Sequence, residues 1–434
     1  MEIAIIGAGI TGLTAGYRLS QKGHRVVIFE KEKFAGGLAT GFKKENWDWH
    51  LESFFHHLFT SDQAVKKLLK DLDLETRLFY LRPKTSIFYQ GKISQFDSPF
   101  SVLTFPHLSL PEKLRTGLVT VYLKLKTPRM VALSEVEGTP PRWKGWKFEN
   151  ITAESWLKKY YGEKAYRILW QPLLKSKFGD QVDKVSMVWF WARIKKRSAN
   201  LGYLEGGFQT LIEKLVEKIK ENDGRFYLNT DVTKITSDGG RLSLRSHDSS
   251  EVGVFDKIII TTPTKTFFPK TKLPEMLGAL NLILELKEQF FKDNTYWLNV
   301  NEENFPFVAV VEHTHFIDSK FYGGHHLVYV GGYYPQNHPY FKMTREQIYK
   351  EFLPYLKKIN PFFNFQLYAI RYTLYANPQA QPIIPVNYSR IIPSCQTPIK
   401  NVFLANMQQV YPWDRGVNYA IELGEKIANE ISER

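Results

Sequence analysis

The chain has 434 residues, with 58 lysines and arginines against 44 aspartates and glutamates, a net charge of +14 and one cysteine. That length suits two to three domains, and 43% hydrophobic residues supply packed cores. A single cysteine excludes an internal disulfide framework and fits a reducing cytoplasm, and no apolar run is long enough to span a bilayer. The basic excess favours anionic partners such as phosphate or a membrane surface, and no nucleic-acid fold signature accompanies it.

Ile3-Ala4-Ile5-Ile6 is a short apolar run and predicts a buried strand. It is interrupted by glycine, so it does not have a signal-peptide layout. Next come Gly7-Ala8-Gly9-Ile10-Thr11-Gly12, a helical pattern over Leu13–Leu19 ending near Lys22-Gly23, a strand at Val26–Phe29, then Glu30 and Lys31. Strand, glycine turn, helix, strand and closing acid follow the order that a dinucleotide-binding fold needs. Gly7 permits the sharp turn, Gly9 lets backbone approach a pyrophosphate, and Gly12 lets the helix pack closely. The helix N-terminus at Ile10 and Thr11 offers free N–H groups to phosphate. Glu30 lies 18 positions after Gly12 and can accept hydrogen bonds from ribose hydroxyls. Its charge would repel a 2′-phosphate, which disfavours NADP. The alternative is a glycine-rich turn in an ordinary α/β domain.

Gly36-Gly37-Leu38 follows, then the polar cluster His50-Leu51-Glu52-Ser53-Phe54-Phe55-His56-His57-Leu58-Phe59. Residues 78–91 predict short strands turning at Gln90-Gly91. Residues 98–126 read as helical, with Phe105, Leu108, Leu110, Leu114, Leu118, Val121 and Leu123 among lysines and arginines. Two readings stay open there: a helix packed on its own domain, or an interfacial amphipathic element. Residues 127–150 are irregular and read as a surface loop or insertion. Residues 151–166 predict another helix. Trp189-Phe190-Trp191 reads as aromatic core, and Arg193 beside it as surface charge. A helix over Gln209–Lys220, a strand over Phe226–Leu228 and Thr230-Asp231-Val232 follow, then a strand leading to Pro263. Residues 276–390 alternate like sheet strands. Asn401–Ala405 is a last buried strand, followed by Asn406–Trp413, Asp414-Arg415-Gly416-Val417-Asn418 and a helix from Tyr419 to Ile431. Paired histidines at 56–57 and 325–326, and Glu312-His313-Thr314-His315, lack an extended ligand pattern, so no metal is expected.

The run from Glu30 to Thr40 with its glycine pair resembles the second fingerprint of the large flavoprotein superfamily of amine oxidases, protoporphyrinogen oxidases, phytoene desaturases and UDP-galactopyranose mutases. The Gly202–Phe208 segment with its helix, the strand before Pro263 and the closing Asp414–Asn418 motif resemble the same superfamily, in order, over nearly the whole chain. Two positions depart from its pattern: Leu38 stands where many members carry Arg or Lys, and Ala405-Asn406 where Gly-Asp or Gly-Glu is usual. The resemblance implies noncovalent FAD. Gly36, Gly37 and Leu38 would approach its pyrophosphate and ribityl chain, Val232 its adenine, and Asn406 a ribityl hydroxyl. Gly416, Val417 and Asn418 would face the flavin ring, where positive potential favours negative charge on the N1/O2 edge. His57 matches a histidine near the flavin in the mutases and could donate a proton or a hydrogen bond. Tyr411 and Arg415 would line the flavin face, with Arg415 suited to an anionic substrate. Cys395 matches no flavin-linkage motif.

The expected fold is α/β: a discontinuous Rossmann-type FAD domain (1–77, 201–275, 395–434) with an inserted α+β substrate domain (78–200, 276–394). The expected activity is two-electron oxidation of a C–H or C–N bond of a small organic substrate, with O₂ or a quinone as acceptor. A UDP-galactopyranose mutase-like enzyme and a flavin-free binding scaffold like the Rab GDP-dissociation inhibitors are the alternatives. The expected location is cytoplasmic, with residues 98–126 able to touch the inner membrane face.

Overall fold

The computed structural model describes residues 1–127, 147–248, 250–271 and 273–433. Five parallel strands form one sheet: β1 (Glu2–Ile6), β2 (Arg25–Phe29), β3 (Arg225–Tyr227), β4 (Lys257–Ile260) and β5 (Val402–Leu404), in spatial order β3-β2-β1-β4-β5. Three distant stretches of chain therefore share one sheet. Ile6 lies opposite both Phe29 and Ile260, and Ile260 opposite Leu404, so the carboxyl ends share an edge. β1 reads as a continuous apolar run because both of its faces are covered. Ile3 and Ile5 join the core under the helices, while Ala4 and Ile6 face the antiparallel strands Val232–Asp238, Arg241–Ser246 and Glu251–Phe255. Each isoleucine so buried contributes roughly 1.5–3 kcal/mol.

The N-terminal helix Ile10–Gln21 packs against the final helix Val417–Ser432. Gly424 makes that approach possible: a Cβ there would lie 2.7 Å from the Thr11 carbonyl oxygen.

A second sheet has seven strands, in the spatial order Ala369–Pro382, Met276–Leu286, His326–Pro335, Ala309–Glu312, Thr295–Val300, Lys84–Tyr89 and Lys92–Gln95. Its neighbours run antiparallel except Thr295–Val300 beside Lys84–Tyr89. The expected turn at Gln90-Gly91 is a tight hairpin, with φ of 51° and 69°. Residues 276–390 are not all strand. Arg345–Ile359 is a helix, opened by a Thr344–Gln347 capping box. Its Ile348, Phe352, Leu356 and Ile359 recur at helical spacing and cover one face of the sheet. The alternation read from the flanking strands concealed that period.

Residues 98–126 form two helices rather than one, Pro99–Thr104 and Leu110–Leu125. Each opens with a serine capping box and an early proline. Phe105, Leu108 and Leu123 are buried, but Leu110, Leu114, Leu118, Val121 and Leu125 form a stripe left 53–75% exposed. The helix thus packs on its own domain by one face and presents an apolar stripe on another. The expected helix over 151–166 is Ala153–Tyr161, ended by Gly162 at φ 91°. Most of the 127–150 segment lies outside the described residues; Lys147–Asn150 is a single helical turn. No helix among the described residues is long and apolar enough to cross a membrane.

Candidate active site

At the carboxyl edge of the parallel sheet, backbone packs on backbone. Gly7 has φ 106°, and a Cβ there would lie 2.8 Å from the Thr262 side chain. A Cβ at Gly12 would overlap the Gly7 carbonyl oxygen, so turn and helix touch only because both residues are glycine. Gly36 (φ 123°) donates its N–H to the Ala8 carbonyl at 2.8 Å, and a Cβ on Gly37 would lie 3.2 Å from the Gly9 Cα. The second glycine pair therefore rests directly on the first motif. A Cβ at Gly9 would meet nothing within 4 Å, which leaves an open cradle over the start of the helix.

The Glu30 carboxylate caps this turn, accepting the Ala8 N–H at 2.8 Å and the Glu32 N–H at 3.0 Å. Each oxygen keeps acceptor capacity beyond that one bond. The Thr230 N–H donates to the Glu30 carbonyl at 2.8 Å, which brings buried Val232 to the same end of the sheet. Lys31 is exposed and lies 3.8 Å from Glu32.

The final helix starts at Val417 after Gly416, and its first turn borders a cavity of about 220 Å³. Leu38, His57, Arg415, Gly416, Val417 and Asn418 all line that cavity. The Asn418 side chain is engaged elsewhere: its oxygen accepts the Ala64 N–H at 3.0 Å and its amide donates to Glu422 at 2.7 Å. Its backbone, in the first turn, remains on the wall. Asn406 does not reach the wall. Its amide donates to Thr264 Oγ1 at 2.9 Å and its oxygen accepts the Gln408 N–H at 3.1 Å, so a ribityl hydroxyl would meet an amide with both ends engaged. Tyr411 is likewise set apart. Its ring packs 5.3 Å from Tyr388 against the helical core, and it does not line the cavity.

His57 and its neighbour His56 are half-buried and both line the cavity. Burial, aided by Arg197 and His56, pushes His57 down to about 3. Burial likewise takes His56 to about 4, although the Phe54 carbonyl opposes it. At neutral pH His57 is an uncharged imidazole, so it can offer or accept a hydrogen bond but stores no extra proton. Its Nδ1 is buried without a partner.

Sequence reading missed the strongest feature of the cavity. Lys177, Arg193, Lys196, Arg197 and Arg415 line it from three segments, against two carboxylates, Asp62 and Asp414. Lys177 Nζ lies 2.6 Å from Asp414 and Arg193 3.5 Å from it, while Arg415 donates to the Tyr333 hydroxyl at 2.9 Å. Arg193 is not ordinary surface charge: its side chain is 16% exposed and its Nε is buried without a partner, as is that of Arg415. Burial and then the nearby Arg193 push Arg197 down to about 9. Burial would raise Asp414, but Lys177, Arg193 and Arg415 hold it far below the usual carboxylate range. Burial would also raise Tyr333, yet Arg415 and Lys177 bring it below its ordinary value. The one sequence signal was the spacing of Arg193 and Arg197, one helical turn apart beside a buried aromatic triplet.

The family model for flavin-containing amine oxidoreductases matches residues 10–432. Among curated proteins, the 15-cis-phytoene desaturase of Capsicum annuum is 24% identical over 297 residues, covering 63% of this chain and 48% of that protein. The matched segments span about half or less of the first such relatives. Among solved structures, an Exiguobacterium sp. 255-15 protein carrying the provisional name protoporphyrinogen oxidase superimposes with TM-score 0.75 at 16% identity, covering 100% of this chain and 99% of that one. A reduced UDP-galactopyranose mutase gives TM-score 0.74 at 14% identity, covering 100% and 94%. These structural likenesses show the shared fold.

Proposed function

This chain belongs to the family of flavin-containing amine oxidoreductases, and from that premise we propose that it binds FAD noncovalently and oxidises a C–H or C–N bond of a small organic substrate. Its family membership makes it an oxidoreductase and sets aside the flavin-free scaffold. The observation that carries the FAD reading is the open cradle above Gly9, floored by Gly36-Gly37 and flanked by the Glu30 carboxylate. Gly7, Gly9, Ile10, Thr11, Gly12, Gly36 and Gly37 would hold the pyrophosphate by backbone, Glu30 the ribose, and Val232 the adenine side. Lys31, exposed beside Glu32, would add positive charge next to Glu30. Leu38 and the first turn from Gly416 to Asn418 would meet the ring. Asn406 would support that end through its bonds to Thr264 and Gln408 rather than by direct contact.

When bound, FAD supplies the electron chemistry, accepting two electrons and a proton as the substrate bond is broken and passing them to an acceptor such as O₂ or a quinone. The protein's own part is to bind, orient and exclude water. His57 offers a neutral imidazole to the cavity, and Arg415, held by Tyr333, orients an anionic group. Tyr411 braces the Arg415 loop by packing on Tyr388. Noncovalent binding is supported at Cys395, whose thiol faces Glu430 and is pushed up by burial and that carboxylate to about 11, away from the reactive thiolate. The exposed leucine stripe of Leu110–Leu125 supports peripheral contact with a membrane.

The convergence of Arg193, Arg197 and Arg415 favours one second reading, a UDP-sugar mutase-like reaction without net redox change. Anaerobic mixing separates the two. Substrate-dependent bleaching of the oxidised flavin supports the oxidoreductase. Consumption of UDP-sugar only after chemical reduction supports the mutase-like reading and contradicts net oxidation.

A further inference from the structure

We propose that the cavity is built for a substrate carrying two anionic groups, carboxylate or phosphoryl, gripped by Arg193, Arg197 and Arg415. The inference rests on the oxidoreductase reading of the same site and names its substrate class.

Charge counting leads to it. Five cations, Lys177, Arg193, Lys196, Arg197 and Arg415, line the cavity with two carboxylates, Asp62 and Asp414, and Lys177 already pairs with Asp414 at 2.6 Å. Asp62, also on the wall, is engaged by the Phe59 N–H at 2.8 Å. No ion pair within 4.0 Å joins Arg197 or Arg415 to a carboxylate among the described residues. Excess cations half out of water repel one another and lose hydration, so proteins rarely keep them without a partner. A single negative charge from a bound flavin would still leave two of them uncompensated.

Hydrogen bonding points the same way. The Nε atoms of Arg193 and Arg415 are buried donors without acceptors, on side chains that border the cavity. A guanidinium presents a fork that matches carboxylate or phosphoryl oxygens. The two forks are fixed by different elements. Arg193 stacks over Trp189 at 5.6 Å, and Arg415 over Tyr333 at 5.5 Å with a bond to its hydroxyl. Packing therefore holds both donors in place before an anion arrives, which cuts the ordering cost of binding.

The test is calorimetric titration of the purified protein, with its flavin content measured in parallel. The probes are inorganic pyrophosphate, glutarate and uncharged glutaramide, at matched ionic strength. Pyrophosphate or glutarate should bind at least about tenfold more tightly than glutaramide, as expected for charge-assisted hydrogen bonds. Whichever anion binds better identifies phosphoryl or carboxylate. Arg193→Met and Arg197→Met should each weaken that binding roughly 10- to 100-fold with flavin content unchanged, and Arg193→Lys should recover part of it. Arg197→Met removes an unpaired cation, so its melting temperature should not fall. Equal binding of glutaramide, or variants that bind the anions like wild type, would overturn the inference. A protein that takes up no FAD contradicts the oxidoreductase reading instead, and the calorimetric arm still reports on the anions.

Discussion

Gly9 and Arg415 mark two regions held together by different means. Around Gly9, backbone touches backbone, and the shape follows from the absence of side chains at Gly7, Gly12, Gly36 and Gly37. Around Arg415, long charged side chains converge from Lys177, Arg193, Arg197 and the 414–415 loop, and the shape follows from tertiary packing. The first region tolerates almost no added volume at Gly7, Gly12, Gly36 or Gly37, while Gly9 itself stays open. The second depends on how its cations are paired, above all Lys177 with Asp414. A binding cradle can thus be set by local geometry, while recognition of the reacting molecule is left to residues that the fold gathers from afar.

Substitutions can break this contrast, and the largest effect belongs to the cradle. Gly12→Val would force Cβ into the Gly7 carbonyl, a backbone clash beyond the roughly 1–3 kcal/mol of ordinary overpacking. Denaturant titration and flavin content should show a protein that is poorly folded and free of flavin. In the cavity, Asp414→Asn should cost about 2–4 kcal/mol. It leaves the Lys177 cation unpaired, and the cost stays below that of a dry pair because the Asp414 side chain is 20% exposed. An isosteric Asn that left stability unchanged would show that charge does not organise this region. Glu30→Ala should cost about 1–3 kcal/mol by orphaning the Ala8 N–H, and should weaken FAD binding further.

The cavity should also respond to pH. His57 and His56 have folded values of about 3 and about 4, below the 6.5 of an unfolded histidine. The unfolded chain therefore binds more protons below pH 6.5, and stability falls as pH drops toward those folded values. Each should contribute roughly 1 kcal/mol per pH unit in that window. His57→Asn should flatten this slope in urea titrations from pH 7 to 4.5; an unchanged slope would place the titrating groups elsewhere. The smallest effect on folding belongs to the leucine stripe. Leu118→Glu with Leu125→Glu should change stability by less than about 1 kcal/mol. It should abolish co-sedimentation with anionic lipid vesicles if that face meets a membrane.

The same contrast explains what the chain disclosed before folding. The parallel sheet, its glycine turn and the closing helix were legible because each depends on residues adjacent in sequence: an apolar run, a glycine spacing, a helical period. Leu38, His57 and Arg415 were placed near one another through resemblance, and they do border one cavity. Asn406 and Tyr411 stood in the right segment, but the direction of a side chain depends on capping and packing partners that spacing does not encode. Arg193 looked like surface charge because its helix neighbours are aromatic core. Only docking of that helix against the 414–415 loop turns it inward. The helix at Arg345–Ile359 was hidden for a related reason: a capping box and a 3.6-residue period stood between segments of period two.

The most direct measurement is the visible absorbance of the purified protein, repeated on the supernatant after heat precipitation. The expected result is a flavin spectrum near one FAD per chain, released entirely into the supernatant, and lost in Gly12→Val. A colourless protein that takes up no added FAD would contradict the role given to the glycine cradle, and a chromophore retained in the pellet would contradict noncovalent binding.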